Sequence, residues 1–255
     1  MRRCWLMLLL ALSAAAWGAD TQVETVSARP GVTMRFLFLP QAHPLASVIL
    51  LAGGSGNVGI GDDGSLAHDG NFLVRTREAW RAEGFQVAVV DVPSDQPAGM
   101  SDSFRQSAEH AADLAAVAAF LRQQAPAPVW LVGTSRGTIS AAAAGIRLGD
   151  GVDGVVLTSS IVRGAGALSA LPLDRLAKPV LLVHHRQDEC KVTPFGGVRG
   201  LLDGLSHSPV KALIAEEGGQ AEGDPCQPWG HHGYNGIEDR VVSDVAAWIK
   251  APKPD

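Results

Sequence analysis

The chain has 255 residues, of which 46 % are hydrophobic and 18 % charged, and its net charge is −5. That length and apolar share fit one sizeable folded core and argue against a disordered chain. The acidic balance, with no cluster of Lys and Arg, argues against nucleic-acid binding.

Residues 1–19 read as a segment apart from the fold. Arg2 and Arg3 precede an apolar run from Leu6 to Ala16, and small residues stand at Ala14, Ala16, Gly18 and Ala19. This is the layout of a secretory signal peptide, with cleavage expected between 16 and 19. The run is shorter than the roughly 20 residues a membrane span needs. Its removal leaves 19 basic and 26 acidic residues, a net charge of −7. Residues 20–255 are then expected to form a single domain, secreted or periplasmic, with no membrane span.

Strand-like segments follow at Val32 to Leu39, Ala46 to Ala52, Phe85 to Val92, Pro128 to Gly133, Gly154 to Ser159, Pro179 to His184 and Val210 to Ala215. They are continuous apolar runs, as expected of parallel strands covered on both faces. The first two have no helix between them and are expected to pair antiparallel. Helical patterns lie at Asn71 to Ala82, Thr138 to Arg147 and Ile237 to Trp248. Another opens at Ser103, with Gln106 as a capping box, and runs through Phe104, Ala108, Ala111, Ala115, Ala118 and Leu121. Strands alternating with helices predict an α/β fold with a doubly wound, mostly parallel sheet. Residues 56–70 read as a long polar loop of the kind that often lines a ligand site.

The segment with most chemical content is Gly133-Thr134-Ser135-Arg136-Gly137, directly after a strand and before an alanine-rich helix. A serine on so tight a turn projects its hydroxyl above the sheet, and the flanking glycines let the turn pack. The following helix directs free N–H groups at developing negative charge.

Strand, turn and helix together resemble the α/β-hydrolase family, in the size range of dienelactone hydrolases and esterases with little or no lid. The resemblance extends over nearly the whole chain after residue 19. It implies Ser135 as nucleophile, followed by an acid after a late strand and a histidine before the last helix. Asp188 ends the run Pro179 to Asp188 and is assigned as the acid, with Glu189 as its neighbouring alternative. His232 is assigned as the base because Gly233 and Tyr234 follow it, with His231 as its rival. The glycine-rich Ala52-Gly53-Gly54-Ser55-Gly56 resembles the family's oxyanion loop, with alanine replacing its histidine. Gly54 or Ser55 and the N–H of Arg136 are the expected oxyanion donors. The Arg136 side chain is expected in an ion pair that holds the turn. Asp91 is a second acidic candidate, expected rather to cap a turn.

Loss of residues 1–19 leaves two cysteines, Cys190 and Cys226. An even count in an exported chain predicts a disulfide. It would staple the Asp188 loop to the His232 loop. No cofactor is required by this chemistry and no metal centre is expected; His184 and His185, as strand neighbours, face opposite ways. The implied activity is hydrolysis of a small-molecule or polymeric carboxylic ester through an acyl-enzyme. The same triad also serves peptidases, amidases and acyltransferases, and the scaffold also serves non-catalytic binding proteins. Between Gly154 and Pro179, where many relatives insert a lid, residues 165–176 are the most that could serve as one.

Overall fold

The computed structural model describes residues 20–254; the expected signal peptide lies outside them. In chain order the elements are β1 (Gln22–Arg29), β2 (Val32–Leu39), β3 (Ala46–Leu51), α1 (Phe72–Arg75), α2 (Arg77–Ala82), β4 (Phe85–Val90), α3 (Asp102–Arg105), α4 (Ala108–Gln124), β5 (Val129–Thr134), α5 (Gly137–Leu148), β6 (Gly154–Thr158), β7 (Val180–His185), α6 (Val198–Gly204), β8 (Lys211–Glu216) and α7 (Glu238–Lys250). The strands form one sheet in the order β1-β2-β4-β3-β5-β6-β7-β8. All neighbours from β4 to β8 run parallel, while β2 is antiparallel to both β1 and β4.

Burial explains the continuous apolar runs. Every residue of β3, β4, β5, β6 and β7 is buried, because helices cover both faces of the sheet. Ile49, Leu51 and Leu131 pack on one face with Leu114 of α4, Ile139 of α5 and Leu201 of α6. Val48, Leu50, Trp130 and Val132 pack on the other with Phe72, Trp80, Val241 and Trp248. The strand ends that face solvent at the carboxyl edge of such a sheet are where loops can build a site.

Three expectations are corrected, and two elements were not foreseen. Val32–Leu39 does not pair with the Ala46 strand, because β4 lies between them. β1 was not foreseen, since its half-buried alternation lacks a continuous apolar run. The helix expected over Asn71–Ala82 breaks at Thr76, whose hydroxyl donates to the Phe72 carbonyl at 2.7 Å. The helix expected from Ser103 is two helices, α3 capped by Ser101 and α4 by Ser107, each through a serine oxygen accepting a backbone N–H at 3.1 Å. Ser107 restarts the helix by offering its own cap, and Ser103 lies inside the first piece. α6, seven residues long with glycines at 200 and 204, also carried too little periodicity to be read from sequence.

A disulfide joins Cys190 to Cys226, with their Cα atoms 4.6 Å apart. It ties the loop after β7 to the loop before α7 across 36 residues. By chain-entropy reasoning, closing a loop of that size stabilises the fold by about 4 kcal/mol. Cys190→Ser/Cys226→Ser should therefore unfold at lower denaturant than the oxidised parent. Equal unfolding free energies of the two would contradict this role.

The helical face of the sheet also holds an unpaired imidazole. His110 of α4 is fully buried, and neither ring nitrogen has a hydrogen-bond partner. Burial, with the nearby positive charges of Arg105 and Arg29, pushes it down to about 3. An unfolded histidine titrates near 6.5, so the unfolded chain takes up this proton first as pH falls. Stability from neutral His110 is complete above about pH 6.5 and is lost on acidification, at up to about 1.4 kcal/mol per pH unit. His110→Phe should flatten the decline in unfolding free energy between pH 6.5 and 4.5. A variant whose stability falls in parallel with the parent would exclude His110 as its source.

Candidate active site

Ser135 sits between the end of β5 and the start of α5 with φ of 52°. That left-handed backbone is rare for a residue with a side chain. The glycines around it are required by contact rather than by flexibility. A Cβ on Gly133 would lie 2.4 Å from the Gly137 carbonyl oxygen, and one on Gly137 would lie 2.0 Å from the Leu51 carbonyl oxygen. The turn is thus pressed against the end of β3, which brings Ser135 beside the loop that follows β3.

That loop has its carbonyls committed inward. Gly53 O accepts from Gly56 N at 2.9 Å, and Ser55 O accepts from Met100 N at 2.8 Å. Gly54 O accepts from Arg105 Nη2 at 3.1 Å and Arg136 Nη1 at 3.2 Å. Arg105 is buried and also donates to Ser140 Oγ at 2.9 Å. Arg136 pairs through Nε with Asp102 at 2.7 Å. The expected ion pair of Arg136 is present, and its second contact holds the Gly53–Gly56 loop. Among the described residues, the backbone N–H groups of Gly54, Ser55 and Arg136 have no acceptor. The three expected donors are therefore free to meet a ligand oxygen.

Asp188 follows β7 and is buried. Its Oδ2 accepts from Thr193 Oγ1 at 2.9 Å and pairs with His232 Nδ1 at 3.0 Å, while Oδ1 accepts from Cys190 N at 3.0 Å. Burial opposes its charge, but hydrogen bonds from His184 and His232 outweigh that and hold the carboxyl well below the usual carboxylate range. Glu189 is exposed. His231 instead stacks on His185 at 4.4 Å, and its Nδ1 lies 3.1 Å from the Gln187 carbonyl. Of the two rivals, only His232 contacts Asp188. With Nδ1 engaged, its Nε2 is left for the cavity.

The His232 loop is locked from behind. Tyr234, left-handed at φ 59°, donates from its hydroxyl to Val183 O at 2.8 Å and accepts from Ser159 N at 3.1 Å. Ser159 Oγ donates to His232 O at 2.8 Å. On the other side, Arg75 of α1 donates to Gly70 O at 2.6 Å, Pro228 O at 3.2 Å and Gly233 O at 2.7 Å, and pairs with Glu238 at 2.9 Å.

Ser135 and His232 open onto one cavity of about 450 Å³. The oxyanion loop, residues 67–72 and residues 226–228 form its walls. No hydrogen bond joins the Ser135 hydroxyl to His232 among the described residues; such contacts are commonly long or misaligned until substrate is bound. Cys226 also lines this cavity, so the disulfide reaches its wall. A larger cleft of about 700 Å³ lies between α4, α5 and residues 170–175. It presents no serine, histidine, cysteine or carboxylate, so it lacks the means for nucleophilic catalysis.

Asp91 has the structural part expected of it: its carboxylate accepts from Val58 N, Ile60 N and Val92 N at 2.8–2.9 Å and shapes the polar loop. One reading changes. Residues 165–176 form no lid over Ser135. None of them lines its cavity, and Leu168, Leu173 and Leu176 are buried in the core. Sequence reading missed Thr193, Arg75, Arg105 and Asn71. Their roles depend on contacts between residues far apart in the chain.

No protein-family model and no curated protein matches the sequence. Solved structures do. Dienelactone hydrolase from Anabaena variabilis is 17 % identical with a TM-score of 0.62, over 91 % of this chain and 98 % of that one. An esterase from Pyrococcus furiosus is 15 % identical with a TM-score of 0.63, over 91 % and 92 %. A cold-adapted esterase from an Arctic intertidal metagenomic library is 16 % identical with a TM-score of 0.61, over 94 % and 99 %. At such identity the likeness speaks for the fold. With the sheet order and the serine turn, it establishes that this chain has the α/β-hydrolase fold.

Proposed function

We propose that the chain is a serine hydrolase that cleaves carboxylic esters through an acyl-enzyme. One observation carries the reading. Ser135, on a left-handed turn, shares a cavity with His232, whose Nδ1 is bonded to the buried Asp188. In the proposed first step, Ser135 Oγ attacks the ester carbonyl carbon and its proton passes to His232 Nε2. The carbonyl π electrons move to the oxygen, which the free N–H groups of Gly54 or Ser55 and Arg136 receive. Collapse expels the alcohol, which takes the proton from His232. Water then attacks the acyl-enzyme with His232 again as base, releasing the acid and restoring Ser135. Asp188, held ionised, orients the imidazole and stabilises it while it carries the proton.

The cavity supports a compact substrate. Its walls mix Ala52, Ala67, Phe72 and Pro228 with Asn57, His68, Asp69, Asn71 and Gln227. So mixed a lining suits a short acyl group better than a long apolar one. Export through the segment 1–19 belongs to the same reading, and the disulfide is consistent with an oxidising compartment.

Turnover of p-nitrophenyl esters tests this directly. Acetate and butyrate should be hydrolysed with higher kcat/KM than decanoate. Ser135→Ala should reduce hydrolysis to background, and Asp188→Asn should lower kcat by roughly 10³–10⁴-fold. Undiminished hydrolysis by Ser135→Ala, or turnover of amides and not esters, would overturn the assignment.

A further inference from the structure

The amide of Asn71 is a side-chain donor in the cavity, placed beside Ser135. Asn71 precedes α1, and its Oδ1 accepts from Leu73 N at 3.1 Å. Because a backbone N–H can only donate, this bond fixes which end of the amide is oxygen. The Nδ2 group therefore points the other way. It has no acceptor among the described residues. It lies over Gly53: a Cβ placed on that glycine would be 3.5 Å from Asn71 Nδ2 and 2.9 Å from Ser135 Cβ. The amide and the serine thus flank the same point, at the start of the oxyanion loop. Asn71 also lines the cavity with both of them.

The position is held from outside. Arg75 donates to the carbonyl of Gly70, the preceding residue, and to Pro228 and Gly233 on the His232 loop. The Arg75 backbone N–H also donates to the Asn71 carbonyl oxygen at 2.9 Å. One arginine thereby sets the spacing between Asn71 and the base. A glycine at position 53 is explained by the same geometry, since any side chain there would occupy the gap between amide and serine.

We propose that Asn71 is a catalytic residue: its Nδ2–H donates to the ester carbonyl oxygen as that oxygen becomes an oxyanion, adding a side-chain donor to the backbone N–H groups. The inference rests on the ester-hydrolase reading. A neutral amide suits this task because it donates without a proton to lose, and its acceptor end is occupied by the helix cap.

Two variants separate donation from capping. Asn71→Ser keeps an oxygen for the Leu73 N–H and removes the amide. Asn71→Asp keeps the shape and the cap and replaces the donor by an acceptor. Each should lower kcat for p-nitrophenyl acetate by roughly 10²–10³-fold, with KM within about two-fold of the parent. Affinity for a trifluoromethyl ketone, which forms a tetrahedral adduct with the serine, should fall by a similar factor, while the thermal midpoint stays near that of the parent. Parental kcat and inhibitor affinity in Asn71→Ser would overturn the proposal. So would a raised KM with kcat intact, which would place Asn71 in ground-state binding. A parent that hydrolyses no ester and binds no ketone would instead remove the ester-hydrolase reading, and this inference with it.

Discussion

The left-handed turn at Ser135 is possible because no side chain stands at Gly133 or Gly137. The second of these packs so closely on the end of β3 that a single added methyl would overlap the Leu51 carbonyl. That contact fixes the serine relative to the oxyanion loop, since the loop begins where β3 ends. Strain in such a turn persists only where surrounding structure over-determines it. Here the surroundings are the fully buried parallel strand β5 and an α5 helix whose first turns are buried against the sheet. The core is therefore the support on which the reacting geometry rests.

The remaining parts of the candidate site are on loops, and each loop is tied by groups outside the proposed reaction. Arg105 and Arg136 converge on the Gly54 carbonyl. Because a peptide group is planar and trans, fixing that carbonyl also fixes the direction of the Ser55 N–H. Tyr234 and Ser159 anchor the His232 loop to β6 and β7, and the disulfide ties it to the segment that follows Asp188. Arg75 closes the ring by linking α1 to the same loop. A catalytic arrangement held to within fractions of an ångström requires such outer support. In this chain most of it comes from arginine, whose planar fork reaches several carbonyls at once.

Much of this was legible in the sequence, for physical reasons that differ between residues. The buried parallel strands announced themselves as apolar runs, and Gly133-x-Ser135-x-Gly137 carries its own steric explanation. Asp188 and His232 were proposed from their order along the chain, and the 3.0 Å contact between them sets them apart from Glu189 and His231. The edge strand Gln22–Arg29 was missed because one half-buried face gives no continuous run. The breaks at Thr76 and Ser107 were missed because a helix pattern counts apolar spacing, whereas a hydroxyl that bonds the backbone can end or restart a helix. Asn71 and Arg75 looked like ordinary helix residues. Their significance arises only when the fold brings Gly53, Ser135 and the Pro228–Gly233 carbonyls around them.

The account stands or falls on Ser135 as a nucleophile activated by its surroundings. The direct measurement is reaction of the folded protein with a fluorophosphonate, followed by mass spectrometry of its peptides. One phosphonyl group per chain is predicted, on Ser135, with none in Ser135→Ala and greatly slowed labelling in His232→Ala. Absence of an adduct on folded protein, or an adduct on another residue that survives in Ser135→Ala, would contradict it.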